Sequence, residues 1–292
     1  MALVQYSESE SDAEQESPPR EVNKTDRVAA GQTRQCPSLP PLPPAFHDLY
    51  ASSIRVSVRD DPSLHGGRKR VIPHVEGNWP THIYLEWYPS KDELEILCGI
   101  IAQTGHMLRE EQSSIHSLLH SDLGAQLPLH ISLSRPVVLR TEERQPFLDM
   151  FQTALQASDI SPFDIQMEGL DWVSNSEKTR WFYVVRVNRP NQDTLNRLLR
   201  ISNRSLDHFG QPSLYETPDP PESHTQRNYP DTPKDYTDCF HISIAWRLAE
   251  PSTEDRERIK SIDLEELSAF RIHFNSVKAK IGNHVSSIQL AS

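Results

Sequence analysis

Two stretches of this chain repeat one tripeptide in one setting: LPLHISLS (Leu127–Ser134) and DCFHISIAW (Asp238–Trp246). Each sets a histidine and a serine two residues apart in an apolar run of strand length. Side chains at i and i+2 of a strand leave the same face. His130 and Ser132 therefore project together, as do His241 and Ser243, while Ile131, Leu133, Ile242 and Ile244 turn the other way, into the core. A helix and then a hairpin are expected after each copy, which reads as a duplicated unit. Two such strands in facing sheets place two imidazoles and two hydroxyls around one groove on a pseudo-twofold axis. The fold class that meets this requirement is α+β, with two antiparallel sheets and flanking helices.

The rest of the pattern agrees. In THIYLEW (Thr81–Trp87), Ile83, Leu85 and Trp87 alternate with His82, Tyr84 and Glu86, a period of two that reads as a strand. Pro89-Ser90 opens a helix with Asp92 and Glu93 in its first turn and an apolar stripe of Leu94, Leu97, Ile100 and Ile101. A second helix is expected over Met107–Leu119, one strand over Leu127–Leu139 closed by Pro136, and a helix over Glu142–Ala157. Phe163–Val173 and Thr179–Val187 read as a hairpin around a polar turn. Pro190 starts a helix carrying Leu195, Leu198, Leu199 and Leu206, and Gly210 stops it. A strand over Phe240–Leu248, a helix over Thr253–Phe270 and a terminal hairpin of Arg271–Ile281 and His284–Leu290 around Gly282-Asn283 complete the order.

Composition divides the chain. Residues 1–65, with SESESDAEQESPP and PSLPPLPP, read as a disordered acidic and Pro-rich tail that buries too little apolar surface to offset its ordering entropy. The folded domain is expected over 66–292, with a Pro-rich loop at 211–238. Thirty basic and 41 acidic residues give a formal charge of −11, which argues against a broad electrostatic grip on nucleic acid but leaves room for a local phosphate pocket. No run of roughly 18 apolar residues suits a membrane span, and the N-terminus lacks the basic start and apolar run of a signal peptide. The three cysteines, Cys36, Cys98 and Cys239, make neither a disulfide framework nor a zinc pattern, so a reducing compartment is the default. The 13 histidines form no HExxH, and no cofactor is expected. His116 and His120 sit i, i+4 in an expected helix and read as an exposed polar face; Arg68-Lys69-Arg70 reads as a solvated turn; Lys178 and Arg180 are weaker candidates for an RNA phosphate contact.

Two histidines and two hydroxyls suit phosphodiester cleavage by internal attack. That reaction needs one proton taken from a 2′-hydroxyl and one given to the departing 5′-oxygen. Histidine titrates near neutrality, so one ring can be neutral while the other is protonated. The serine hydroxyls can donate to non-bridging oxygens where charge builds.

These paired His-x-Ser signatures resemble the 2H phosphoesterase superfamily. The match is closer to its branch that processes the 3′ end of U6 small nuclear RNA, on HGGRKRVIPHVEGNWPTHIYLEW (His65–Trp87), LHISLSRP, NSEKTRWF, CFHISIAW and the terminal VKAKIGNHVSSIQL. The resemblance implies a bilobal fold around a central groove. It implies a metal-independent 3′→5′ exoribonuclease that trims the oligouridine tail of that RNA, leaving a 2′,3′-cyclic phosphate that is in some members opened to a 3′-phosphate. It implies RNA as partner, no membrane, a monomer, and the nucleus as place of work. By motif, His130 and His241 are the catalytic pair, with His130 favoured as proton acceptor and His241 as donor. The substrate-binding set is Ser132, Ser243, Tyr236 as a base-stacking ring, Ile131, Cys239, Phe240 and Ile242, with lobe core an equal reading for Phe240. The other readings are a 2H cyclic phosphodiesterase acting on small nucleotides or tRNA splicing ends, and a non-catalytic spliceosome-associated RNA-binding protein.

Overall fold

The computed structural model describes residues 75–108, 115–216 and 234–291. The tail over 1–65, the start near Gly66, the Arg68-Lys69-Arg70 turn and residues 217–233 of the Pro-rich loop lie outside the described residues. The elements run β1 (Asn78–Trp87), α1 (Lys91–Met107), β2 (His116–Ser117), β3 (Leu129–Ser132), β4 (Val137–Arg140), α2 (Arg144–Gln156), β5 (Phe163–Ser174), β6 (Trp181–Val187) and α3 (Thr194–Asp207). They continue with β7 (His241–Arg247), α4 (Thr253–Ile259), α5 (Glu265–Ser268), β8 (Arg271–Phe274), β9 (Ser276–Ile281) and β10 (His284–Gln289). A first sheet is ordered β10-β9-β1-β3 with β4 also on β1, and a second is ordered β2-β7-β6-β5-β8. The architecture is α+β with two antiparallel sheets, as the two His-Ile-Ser strands required.

The duplication is interlocked. The hairpin that follows β3 of the first sheet, β5-β6, belongs to the second sheet, and the hairpin β9-β10 that follows β7 of the second belongs to the first. Each motif strand thus lies in a sheet completed by strands from the other half of the sequence. Alternation does the sorting: Ile83, Leu85, Ile131, Leu133, Ile242 and Ile244 have no exposed surface. α1 starts at Ser90, whose hydroxyl accepts from the Glu93 amide while the Glu93 carboxylate accepts from the Ser90 amide.

Five expected elements differ. Leu127–Leu139 is two strands: β3 pairs with residues 84–87 of β1 and β4 with 78–81. The break falls where the Leu133 and Ser134 amides both turn to the Ile83 carbonyl and the Ile83 amide donates to Ser134 Oγ. The helix over Met107–Leu119 is absent among the described residues. α1 ends at Met107, and His116–Ser117 pairs with β7, a partner far along the chain that local periodicity cannot show. His116 and His120 therefore lie on no helix: His116 stacks on Trp246, and His120 bridges to Gln126. Thr253–Phe270 is the two short helices α4 and α5. Arg271–Ile281 is two strands in different sheets, divided at Asn275. The helix after Pro190 begins only at Thr194, after a 3-10 turn in which Gln192 and Asp193 take positive φ.

Two details position the groove. Gly282, at φ +61°, turns the chain from β9 to β10, and a Cβ there would sit 2.5 Å from the Trp79 ring. Trp79 is fixed in turn by its indole N–H to Thr141 Oγ1 at 3.0 Å and by Arg144 stacked 3.9 Å from its centroid. The Gly-Asn-Trp-Pro segment thus anchors one end of β1, an interior strand of the first sheet. In α3, Asn196 and Asn203 are buried polar residues seven positions apart on one face. Asn203 grips residue 214 from both sides, accepting from the Leu214 amide (2.9 Å) and donating to the Leu214 carbonyl (3.1 Å). Asn196 accepts from the Tyr236 amide (2.9 Å) and donates to Asp235 (2.8 Å). One helix therefore clamps the chain on both sides of the Pro-rich loop.

Beneath the second sheet, the Arg247 guanidinium donates to Asp255 at 2.9 Å, with both side chains almost wholly buried. Removing one partner leaves the other charge buried and unpaired, which costs about 3–5 kcal/mol. Asp255→Ala is expected to lower the urea midpoint accordingly, and an unchanged midpoint would show that the pair contributes nothing net.

Candidate active site

The first sheet supplies one wall. In β1, His82, Tyr84 and Glu86 share the face opposite the core, and pairing sets Tyr84 beside Ser132, Glu86 beside His130, and His82 beside Lys280. The rings form a cluster: His82 lies 5.1 Å from Tyr84, roughly stacked, and both present edges to His130 at 5.3 and 5.5 Å. His82 Nε2 is hydrogen-bonded to Ser132 Oγ at 3.2 Å. Glu86 pairs with Lys278 at 3.6 Å, which leaves Lys280 as the cation beside His82.

The second sheet supplies the other wall. Pairing sets His241 beside Arg186 and Ser243 beside Val184. The His241 Nδ1–H donates to the Cys239 carbonyl at 2.7 Å. That bond fixes the tautomer and leaves Nε2 free to exchange a proton with a ligand. Arg186 is held by Asp171 at 2.6 Å and donates to the Asp238 carbonyl at 2.7 Å, which ties the run into His241 to β5 and β6.

The two walls enclose one cavity. A space of about 290 Å³ is lined by Tyr84, Tyr88 and His130 on one side, Ser243 on the other, and Lys280 and Asn283 at its end. His130 and the second sheet's serine therefore face the same volume. The rings also sense each other: His130 is pushed down to about 4, first by the surrounding walls and then by the charge of His241. His130 keeps an exposed edge, so solvent relieves part of that burden. Burial also lowers His241, opposed by its bond to the Cys239 carbonyl; nearby Arg186 lowers it further and Asp171 raises it. Burial thus favours the neutral form of both rings, and at His241 the Cys239 carbonyl and Asp171 offset part of that effect. His241 is not among the residues lining this space; it is tied to it by its charge on His130 and by Ser243, which shares its face of β7.

The other expected contacts divide. Cys239 contributes through its carbonyl. Tyr236 is half-buried beside Tyr215, with ring centroids 6.1 Å apart. The side chains of Ile131, Ile242 and Phe240 are fully buried in the core, as lobe packing requires, which leaves only their backbone to meet a substrate. Arg180 is stacked over Trp246 and Phe182, at 5.0 and 5.8 Å. Lys178 sits in the β5-β6 turn at φ +53°.

His82, Arg186 and Tyr215 are the residues that pattern reading did not single out for the site. For His82 the signal was present, since alternation in THIYLEW put it on the face opposite the core. His82 is pushed down to about 3 by burial, then by His130 and Lys280, against a raising contact with the Ser134 carbonyl. Its folded value thus lies below the roughly 6.5 of an unfolded chain. The stability it contributes is intact above about pH 6.5 and is lost progressively as pH falls toward the folded value of about 3, because the unfolded chain takes the proton first. Denaturant midpoints are expected to fall between pH 7 and pH 4.5, less steeply in His82→Asn; equal slopes in both proteins would refute this.

Comparison with known proteins places these features. Residues 40–289 match the model of the HVSL family, described as an uncharacterised conserved protein. A protein of Neurospora crassa named U6 snRNA phosphodiesterase 1 is 36% identical, over 87% of this chain and 75% of its own. A protein of the same name from Homo sapiens is 25% identical over 99% of this chain and 98% of its own. The structure of Kluyveromyces marxianus Usb1 with uridine monophosphate matches with a TM-score of 0.53 at 18% identity, over 72% of this chain and 98% of that one, a likeness of fold.

Proposed function

The chain belongs to the HVSL family, and on that premise we propose that it is a U6 snRNA phosphodiesterase that shortens the 3′ oligouridine tail of that RNA by 2′-hydroxyl attack. The observation that carries this reading is the single cavity shared by His130 of the first sheet and Ser243 of the second, with the charge of His241 reaching His130.

In the proposed step, the neutral His130 takes the proton from the 2′-hydroxyl of the penultimate ribose. The 2′-oxygen bonds to phosphorus, and the bond to the 5′-oxygen of the terminal nucleoside breaks. Protonated His241 gives the Nε2 proton to that leaving oxygen, its Nδ1–H held on Cys239. Ser132 and Ser243 donate to the non-bridging oxygens, and Tyr236 offers a ring to a nucleobase. The shortened RNA ends in a 2′,3′-cyclic phosphate. Water can open that ring to a 3′-phosphate with the two imidazoles in exchanged roles. No step is routed through a metal ion. We further propose that the protein works as a monomer in the nucleus, in the maturation of a splicing RNA.

The test is turnover of oligouridine-tailed RNA in EDTA, beside uridine 2′,3′-cyclic phosphate as a competing substrate. Stepwise shortening of the RNA in chelator is expected. Rapid opening of the mononucleotide with no shortening would favour a small-nucleotide cyclic phosphodiesterase, and binding with no turnover a non-catalytic RNA-binding protein.

A further inference from the structure

Tyr215 has no place in the two-histidine chemistry, yet it touches it. Its backbone takes φ +65°, a left-handed conformation that a bulky residue adopts only when its surroundings impose it. The restraint is visible: Asn203 of α3 grips residue 214 from both sides and also donates to Glu216 at 3.3 Å. The ring sits edge-on to the buried Phe240, at 5.9 Å, and tilted against Tyr236. Held there, the Tyr215 hydroxyl donates to the Cys239 carbonyl at 3.0 Å. That oxygen also accepts the His241 Nδ1–H at 2.7 Å. One carbonyl thus carries two donors, one from the strained residue and one from the reacting imidazole.

We propose that Tyr215 is a positioning residue for His241, fixing the Cys239 carbonyl and, by sharing its lone pairs, setting how tightly that carbonyl holds the Nδ1–H; the consequence for catalysis rests on the function proposed above. Two donors on one oxygen compete for its electron density, so each bond is weaker than it would be alone. The shared bond restrains the ring and leaves the imidazolium ready to give up its other proton. Burial raises the phenol above its ordinary value, which keeps it a donor throughout the working range. The contact also links two rings: Tyr236, proposed above to meet a nucleobase, leans on the residue that holds the carbonyl bonded to His241.

The experiment compares wild type with Tyr215→Phe, which keeps the ring and its packing and deletes only the hydroxyl. Two readouts are taken: the titration of the His241 ring by NMR, which needs no turnover, and kcat and KM on oligouridine-tailed RNA across pH. Arg186 and Asp171 beside His241, and His130 across the cavity, are unchanged by the substitution. With the whole carbonyl to itself, the His241 cation is expected to gain stability, so its titration moves to higher pH. Turnover is expected to fall roughly tenfold, the scale of loss when a partner that orients a reacting group is removed, with KM little changed. An unmoved His241 titration, or an unmoved kcat, would overturn the proposal. If the Phe variant folds poorly, 3-fluorotyrosine at position 215 gives a stronger donor in the same place and should move the titration down; no movement would again refute the contact. Wild type that turns over no RNA would sink the proposed function, while the NMR titration would still decide whether Tyr215 acts on His241.

Discussion

His130→Ala and His241→Ala are each expected to lower turnover of tailed RNA by about 10²–10⁴-fold, the range for loss of one proton-transfer group. The double variant should be little worse than the poorer single one, because the rings serve one concerted displacement and residues acting as a unit are not additive. Neither ring belongs to the buried apolar core: His130 packs on the His82 and Tyr84 rings with an exposed edge, and His241 hangs from one backbone carbonyl. The variants should therefore fold, and their melting behaviour above pH 7 should match wild type. His130→Ala has a second expected effect. It removes a positive neighbour from His82, so His82 should titrate at higher pH. A variant that kept wild-type turnover would exclude that ring from proton transfer.

The second large effect concerns the substrate. A 2′-deoxy sugar on the nucleotide whose 3′-oxygen carries the scissile phosphate removes the nucleophile of the proposed step. Cleavage at that linkage is expected to stop altogether, while the same substitution on the terminal nucleoside, which only departs, should leave it nearly unchanged. Binding of the blocked RNA should persist, since a single hydroxyl contributes little beside the phosphate and base contacts. Measuring shortening of RNAs carrying one deoxy residue at each position in turn tests this. Equal cleavage of the blocked and unblocked linkages would show that water, not the neighbouring sugar, attacks phosphorus.

What was legible in the sequence follows from the range of the forces involved. Strand alternation is local, so the facing of His130 with Ser132 and of His241 with Ser243 was readable, as was the burial of Ile131, Leu133, Ile242 and Ile244. The α1 cap was readable too, since its signals lie within three residues of each other. Non-local pairing was not. β2 exists because β7 offers it an edge more than a hundred residues away, and without that partner the same stretch reads as helix. The division of Arg271–Ile281 between two sheets shows in the sequence only as a slip of phase at Asn275-Ser276, from Ile272 and Phe274 to Val277, Ala279 and Ile281, which does not say that the two parts join different sheets. The site shows the same split. Its imidazoles and hydroxyls announced themselves by repetition, whereas Tyr215 and Arg186 act through the backbone carbonyls of Cys239 and Asp238, contacts that no residue pattern encodes.

The resemblance and the geometry also separate binding from scaffolding. Among the segments that carried the likeness, Gly77–Pro80 anchors one end of the interior strand β1 through Trp79 and Gly282, while His82, two residues beyond it, lies in the ring cluster with His130. Substitutions at Trp79 should therefore lower stability before they alter specificity.

The central claim is that an imidazole from each sheet works on one phosphodiester, with the sugar's own hydroxyl as nucleophile. Its most direct test is the mass of the shortened RNA end at early times of reaction in water enriched in ¹⁸O. A terminal phosphate one water lighter than the linear ester, free of ¹⁸O, is the predicted product, with the label entering only if the ring is later opened. A 3′-hydroxyl end with release of ¹⁸O-labelled 5′-monophosphate would contradict the two-histidine account.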